Sequence, residues 1–183
     1  MYIDILLRWN ARINHTAIRD PEEIVTRHFG ESLFAARQLF PSAARMGTAV
    51  ADLGSGAGFP GLPIKLWAPD ITLTLIESNH KKAIFLREVA RSLTLTDVNV
   101  QNARAEDLTQ TFDVVTLRAV ERFADILPVA VRLLAPAARL ALLIAGTQVP
   151  TAISSLPQLS WQVAIPVPQS QSRVLLIGTS PKQ

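Results

Sequence analysis

Val50-Ala51-Asp52-Leu53-Gly54-Ser55-Gly56-Ala57-Gly58-Phe59-Pro60-Gly61-Leu62-Pro63-Ile64 is the stretch on which the fold of this chain turns. The apolar run from Ala49 to Leu53 predicts a buried strand. Gly54, Gly56, Gly58 and Gly61 follow it closely, and a short helix begins after them, with Leu62, Ile64, Leu66 and Trp67 as its apolar anchors. Without a Cβ, such glycines let the backbone turn sharply and approach a ligand. The helix behind them offers free N–H groups and the positive end of its dipole. Strand, glycine turn and helix are the way many α/β domains hold a nucleotide-like ligand.

The glycines admit two readings. Gly54, Gly56 and Gly58 form G-x-G-x-G, the loop that passes under the methionine part of S-adenosylmethionine. Gly56, Gly58 and Gly61 also satisfy the dinucleotide fingerprint G-x-G-x-x-G. Both want an acid at the end of the next strand to accept from ribose hydroxyls, and Glu77 supplies it. Asp52 favours the first reading, because a carboxylate before the loop suits a cationic amino group and repels a pyrophosphate.

Outward from this loop, apolar runs alternate with helical patterns. Strands are expected at 49–53, 71–76, 98–101, 112–117 and 140–144, and two later runs, 161–167 and 174–177, pair as an edge hairpin. The pattern predicts an α/β, Rossmann-like domain with a seven-stranded sheet, six strands parallel and one reversed. Leu6, Trp9 and Ile13 share a helical face near the start. A second helix starts at Asp20-Pro21, a cap followed by a first-turn proline, and runs through Ile24, Val25, Phe29, Leu33 and Phe34. Residues 1–45 are therefore read as N-terminal helices packed on a core of residues 46–183, all within one domain.

Composition narrows the chemistry. The chain has 183 residues, a net charge of +3 and nearly half apolar residues, so it has enough length for a core and is mildly basic. It has no cysteine, which excludes disulfides, thiol catalysis and cysteine-ligated metal. His15, His28 and His80 are scattered, and no metal-ligand spacing is evident. The first residues lack the basic start of a signal peptide, and Pro136 and Arg139 interrupt the apolar stretch before Ile144, so a soluble cytoplasmic protein is expected.

A ligand on such a sheet lies at the carboxyl ends of its strands. Glu106 is placed there to accept from an adenine amino group, with the Ala105 backbone beside it and Arg118 at the mouth of the fourth strand. An ordinary loop carboxylate and an arginine paired with Glu121 are the plainer readings of Glu106 and Arg118. The Asn/Asp-Pro-Pro-aromatic turn used for exocyclic amines is replaced by Thr116-Leu117-Arg118-Ala119. A transfer needing no general base fits best, such as attack by a ring nitrogen lone pair on a methyl sulfonium.

The chain resembles the RsmG (GidB) family of 16S rRNA guanine-N7 methyltransferases. Trp9-Asn10, Asn14, Arg19-Asp20-Pro21, Arg27-His28 and Glu31-Ser32-Leu33 are similar to its N-terminal signature. The loop from Asp52 to Pro63, Glu77-Ser78 with Lys81-Lys82, Arg104-Ala105-Glu106 and Arg118-Ala119 resemble its later segments. The resemblance implies a class I S-adenosylmethionine-dependent methyltransferase, with Asp52, Gly54, Gly56, Gly58, Phe59, Glu77, Ala105, Glu106 and Arg118 at the cofactor. It also implies that Arg118 positions the reactants, and that Arg27, His28, Lys81 and Lys82 face the RNA of the 30S subunit. Neither a metal nor a membrane is implied, and a monomer is the simpler expectation. Two departures stand out. The family has a further helix ahead of Met1, and it carries lysine where this chain has Ala145. A dinucleotide oxidoreductase and an RNA-binding homologue without activity remain the alternatives at this level.

Overall fold

The computed structural model describes residues 1–11, 18, 20–119 and 122–182. Ile13 of the first helical stripe, together with Asn14, His15, Arg19 and Glu121, lies outside them. Five parallel strands form the centre of the sheet: β1 (Ala49–Leu53), β2 (Thr72–Ile76), β3 (Val98–Gln101), β4 (Phe112–Arg118) and β5 (Leu134–Ala145). Three shorter pieces complete it: β6 (Ser160–Trp161), β7 (Ile165–Pro166) and β8 (Arg173–Thr179). The order is β3-β2-β1-β4-β5-β8-β6, with β7 also on β8. Because β6 and β7 pair with opposite ends of β8, they occupy one position, and the sheet is seven strands wide. β8 alone is reversed, as expected. The expected strand 161–167 is broken in two.

Alternation along the strands sends successive side chains to two apolar layers. Val50, Leu73, Val114 and Leu143 face one layer, and Ala51, Ile76, Val115 and Leu142 face the other. The first layer receives α1 (Tyr2–Asn10), α3 (Glu31–Leu39), α4 (Gly61–Trp67) and α5 (His80–Ser92). The second receives α6 (Phe123–Arg132) and α7 (Val149–Ser155). The N-terminal helices thus share one apolar cluster with the sheet. In α4, Leu62 and Ile64 are buried, whereas Leu66 and Trp67 are about half exposed.

Three local expectations need correction. The second helix is not uniform: it opens as α2 (Pro21–Glu23), capped by the Asp20 side chain on the Glu23 N–H at 2.9 Å, and continues as a π-helix over Ile24–Gly30 into α3. Its inward face is Ile24, His28, Glu31, Ser32, Ala35 and Leu39, while Val25 and Leu33 are exposed. The strand expected at 112–117 runs on to Arg118. β5 starts at Leu134 rather than Leu140, because an irregularity between Phe112 and Val114 lets Leu134 pair with Phe112.

Phe85 on α5 is fully buried in the first layer, edge-on to Trp9 of α1 at 5.8 Å. Phe85→Ala is expected to destabilise the protein by about 3–5 kcal/mol in equilibrium urea unfolding.

Candidate active site

The loop after β1 runs with Gly54, Gly56 and Gly58 at positive φ (66°, 55° and 89°). At Gly58 a Cβ would come within 2.5 Å of both Leu62 Cδ1 and the Tyr2 hydroxyl, so only glycine fits. At Gly56 the nearest atom to a Cβ is 3.7 Å away, which leaves this backbone open to a ligand. Two acids and a tyrosine fix the loop. Glu77 Oε2 accepts from the Gly56 N–H at 2.9 Å, and its Oε1 accepts from the Asn79 N–H at 2.8 Å. Asp52 accepts from Thr116 Oγ1 at 2.8 Å and from the Gly61 N–H at 3.2 Å. The buried Tyr2 hydroxyl donates to the Ala57 carbonyl.

Asp52 is 1 % exposed, and burial raises its carboxyl to about 6 despite the hydrogen bonds that favour the charged form. It lies behind the loop, tying β1 to β4 and to the start of α4, and does not line the cleft in front. That cleft, about 390 Å³, opens between Gly54, Ile76, Ser78, Ala105, Glu106 and Ile126. Its far wall is a turn of 3₁₀ helix at Ala105–Asp107, which buries Ala105 and leaves Glu106 exposed. Arg132 of α6, not singled out from the sequence, holds this wall by donating to the carbonyls of Glu106 at 2.7 Å and Leu108 at 2.8 Å. An open loop backbone, carboxylates at the ends of β2 and β3, and apolar walls at Ile76 and Ile126 together fit a cofactor bearing an ammonium, a ribose and an adenine.

Arg118 closes β4 and turns towards the N-terminal helices. Its Nη2 lies 2.9 Å from Glu31 Oε2 and its Nε 3.2 Å from the same oxygen, with both side chains under a tenth exposed. Glu31, rather than Glu121, is the partner shown among the described residues. The same Nη2 lies 2.9 Å from His28 Nδ1, and the guanidinium sits 6.0 Å from the centre of the Phe59 ring. Arginine only donates, so Nδ1 accepts and the imidazole is neutral. Burial, with Arg118, Arg27 and Arg173 nearby, pushes His28 down to about 3. The ring stacks on Phe59 at 4.9 Å, and Phe59 also stacks on Tyr2 at 5.4 Å. His28, expected at the RNA surface, is thus a buried residue against the cofactor loop.

Arg27 stays exposed, paired with Glu23 at 2.7 Å, and Lys81 is exposed at the start of α5 beside the partly buried Lys82. Ala145 pairs in register with Arg173 of β8. Both line a cavity of about 230 Å³ with Arg27, Ala119 and Phe123, so a cation from the neighbouring strand stands at this mouth. Among the described residues there is no cluster of three metal-ligating side chains, and no helix is long and apolar enough to cross a membrane.

The family model described as rRNA small subunit methyltransferase G (GidB) matches residues 1–162. The chain belongs to this family. It is 46 % identical over 135 residues to the ribosomal RNA small subunit methyltransferase G of Xylella fastidiosa (strain 9a5c), covering 73 % of this chain and 61 % of that one. It is 42 % identical over 171 residues to the protein of the same name from Stenotrophomonas maltophilia (strain K279a), covering 92 % and 77 %. Among solved structures, it is similar to magnesium protoporphyrin IX methyltransferase from Synechocystis PCC 6803 with bound S-adenosylmethionine (TM-score 0.74, 12 % identity, 98 % and 97 % covered). Ribosomal protein L11 methylase from Lactobacillus delbrueckii subsp. bulgaricus is also similar (TM-score 0.67, 14 % identity, 84 % and 77 % covered). These likenesses establish the Rossmann-like class I methyltransferase fold.

Gly58→Ala places a Cβ against Leu62 and Tyr2 at positive φ, and is expected to lower stability by about 1–3 kcal/mol and to weaken S-adenosylhomocysteine binding, checked by thermal unfolding and calorimetry. His28 binds its proton only in the unfolded chain between its ordinary value near 6.5 and about 3, so its contribution is complete above pH 6.5 and is lost on acidification through that window. Asp52, raised to about 6, acts in the opposite sense: its contribution is complete below its ordinary value and is lost as pH rises towards 6. The stability of His28→Gln relative to the parent is therefore expected to improve as pH falls from 6.5 to 4, by up to about 1.4 kcal/mol per unit; denaturant titrations at stepped pH measure it.

Proposed function

We propose that this chain is an S-adenosylmethionine-dependent methyltransferase that modifies N7 of a guanine in bacterial 16S rRNA, in the 530 loop of the small subunit. The observation that carries the reading is the position of Arg118. It touches the cofactor loop through Phe59 and, through Glu31, the wall of a second cavity lined by Arg27 and Arg173. Arg118, at the end of β4, thus links the loop that borders a cleft with a carboxylate at its rim to a cavity flanked by two arginines. Family membership and the names of the relatives support the same substrate class.

In this reading Gly54, Gly56, Gly58 and Phe59 form the loop under the cofactor. Glu77 serves the ribose, and Ala105 and Glu106 the adenine. Asp52 acts from behind, holding loop, β4 and α4 in register. When bound, S-adenosylmethionine supplies a methyl group on a sulfonium. Guanine N7 presents a lone pair without a proton, so no side chain has to remove one. The chain's residues then contribute mainly by alignment, worth up to about 7–11 kcal/mol. Arg118 is the positioning cation, and Arg27, Lys81 and Lys82 are the surface contacts to RNA phosphates.

Transfer of labelled methyl from S-adenosylmethionine to 30S subunits lacking the modification, followed by digestion to nucleosides, tests the proposal. Label in 7-methylguanosine is expected; label in another nucleoside, or none while S-adenosylhomocysteine still binds, overturns it. Glu106→Ala is expected to raise the KM for S-adenosylmethionine about 10-fold or more with little change in kcat, as loss of a charged hydrogen bond predicts.

A further inference from the structure

The cavity beyond Arg118, about 490 Å³, lies between the π-helical segment and the β7–β8 connection, with Thr26, Arg27, Glu31, Gln169 and Arg173 among its walls. Its size falls within the roughly 300–1,000 Å³ of small-ligand sites. It shares Arg27, Ser172 and Arg173 with the smaller cavity that reaches Ala119 and Phe123 after β4. Two arginines at its rim suit an anionic partner, but its floor is an acid. Glu31 is 4 % exposed. Its Oε2 takes both Arg118 donors, at 2.9 and 3.2 Å. Its Oε1 faces Arg173 Nε at 3.6 Å, too far for a hydrogen bond, and no described residue donates one to it. Oε1 thus keeps hydrogen-bond capacity beside its ion pair with Arg173, on a residue that lines the cavity, where an N–H or O–H donor of a ligand can use it.

We infer that this cavity receives the guanine to be modified, with Glu31 reading its Watson–Crick edge and Arg27 and Arg173 flanking its phosphates. This rests on the proposed function. Guanine alone among the four bases offers two adjacent donors on that edge, N1–H and the N2 amino group, which can converge on the one oxygen that Arg118 leaves open, Oε1. Adenine offers an acceptor at N1, uracil a single N–H between two carbonyls, and cytosine an amino group beside an acceptor. N7 lies on the neighbouring Hoogsteen edge, away from N1–H and the N2 amino group, so a guanine held in this way keeps N7 free for the methyl group. Arg118 reaches Phe59 of the glycine loop on one side and shares Glu31 with the base on the other. Glu31 is thereby a specificity-determining residue as well as the counter-ion of Arg118.

The test compares RNA substrates carrying guanine or inosine at the methylated position, inosine lacking only the N2 amino group. The parent protein is expected to lose about 10- to 100-fold in kcat/KM on inosine, and Glu31→Gln to bring the two substrates within about threefold of each other. A role limited to holding Arg118 lowers both rates together and leaves the ratio unchanged, which would overturn the assignment. Equal rates of the parent on both RNAs would also overturn it, whether or not the variant folds. Should Glu31→Gln fail to bind S-adenosylhomocysteine, Glu31→Asp serves in its place, with a narrowed ratio expected and an unchanged ratio against the assignment. Failure of the parent to methylate the guanine RNA at all counts against the proposed function instead.

Discussion

Glu31 and Arg118 are buried together, and of the two arginines that Glu31 meets Arg118 is the nearer and the more deeply buried. Taking two ions out of water is repaid only when their geometry is good and the remaining polar atoms find partners. Here one carboxylate oxygen takes two guanidinium donors, while the Arg27 carbonyl accepts at 3.3 Å from the same Nη2 that meets His28. Removing Glu31 would strand Arg118, at a cost of about 3–5 kcal/mol, whereas removing Arg118 would leave Glu31 its longer contact to Arg173. The pair therefore fixes where the N-terminal helices sit against the mouth of β4. The cavity beyond Arg118, the burial of His28 and the inward turn of the π-helical segment all depend on it.

On the other side of Arg118 the cofactor loop is held by a related device. Asp52 and Glu77 each spend carboxylate oxygens on the loop's own backbone, at Gly61 and Gly56. A glycine-rich segment loses more freedom on ordering than any other, so such anchors matter most where the chain is most permissive. They also divide the work between two acids of the same type. The one sealed behind the loop is pushed towards neutrality by burial. The other stands at the end of β2, next to the cleft.

Much of the fold was legible because it is written locally. The apolar run into Gly54, Gly56 and Gly58, the Asp20-Pro21 cap and the strand–helix alternation each depend on near neighbours, and each appears in the structure. The interactions that build the site are not local. Arg118 meets Glu31 and His28 across 87 and 90 residues, and Tyr2 meets Ala57 across 55. The sequence reading ran the second helix through Val25 and Leu33 as apolar residues, yet the helix turns His28, Glu31 and Ser32 to the sheet, because a π-helical turn shifts the stripe and the buried cation requires its partners. A signal was present: Glu31 stands four residues before Ala35 and eight before Leu39, an acid in helical line with apolar positions. Arg132 carried no such mark, since its partners are backbone carbonyls that any sequence would offer.

The two halves of the site share more than Arg118. Phe59, within the cofactor loop, stacks on His28 and Tyr2 and meets Phe29 edge-on at 5.0 Å. Close-packed aromatic clusters do not deform smoothly, because a small displacement of one ring forfeits contacts on several others. The π-helical segment that walls the cavity beyond Arg118 and the first helix are thus both pressed against a single ring of the glycine loop. A neutral His28 is needed to keep that arrangement, as a charged imidazole would face Arg118 at 2.9 Å and lose its acceptor nitrogen. The low proton affinity of His28 is in this sense the cost of joining the two sites through one aromatic contact.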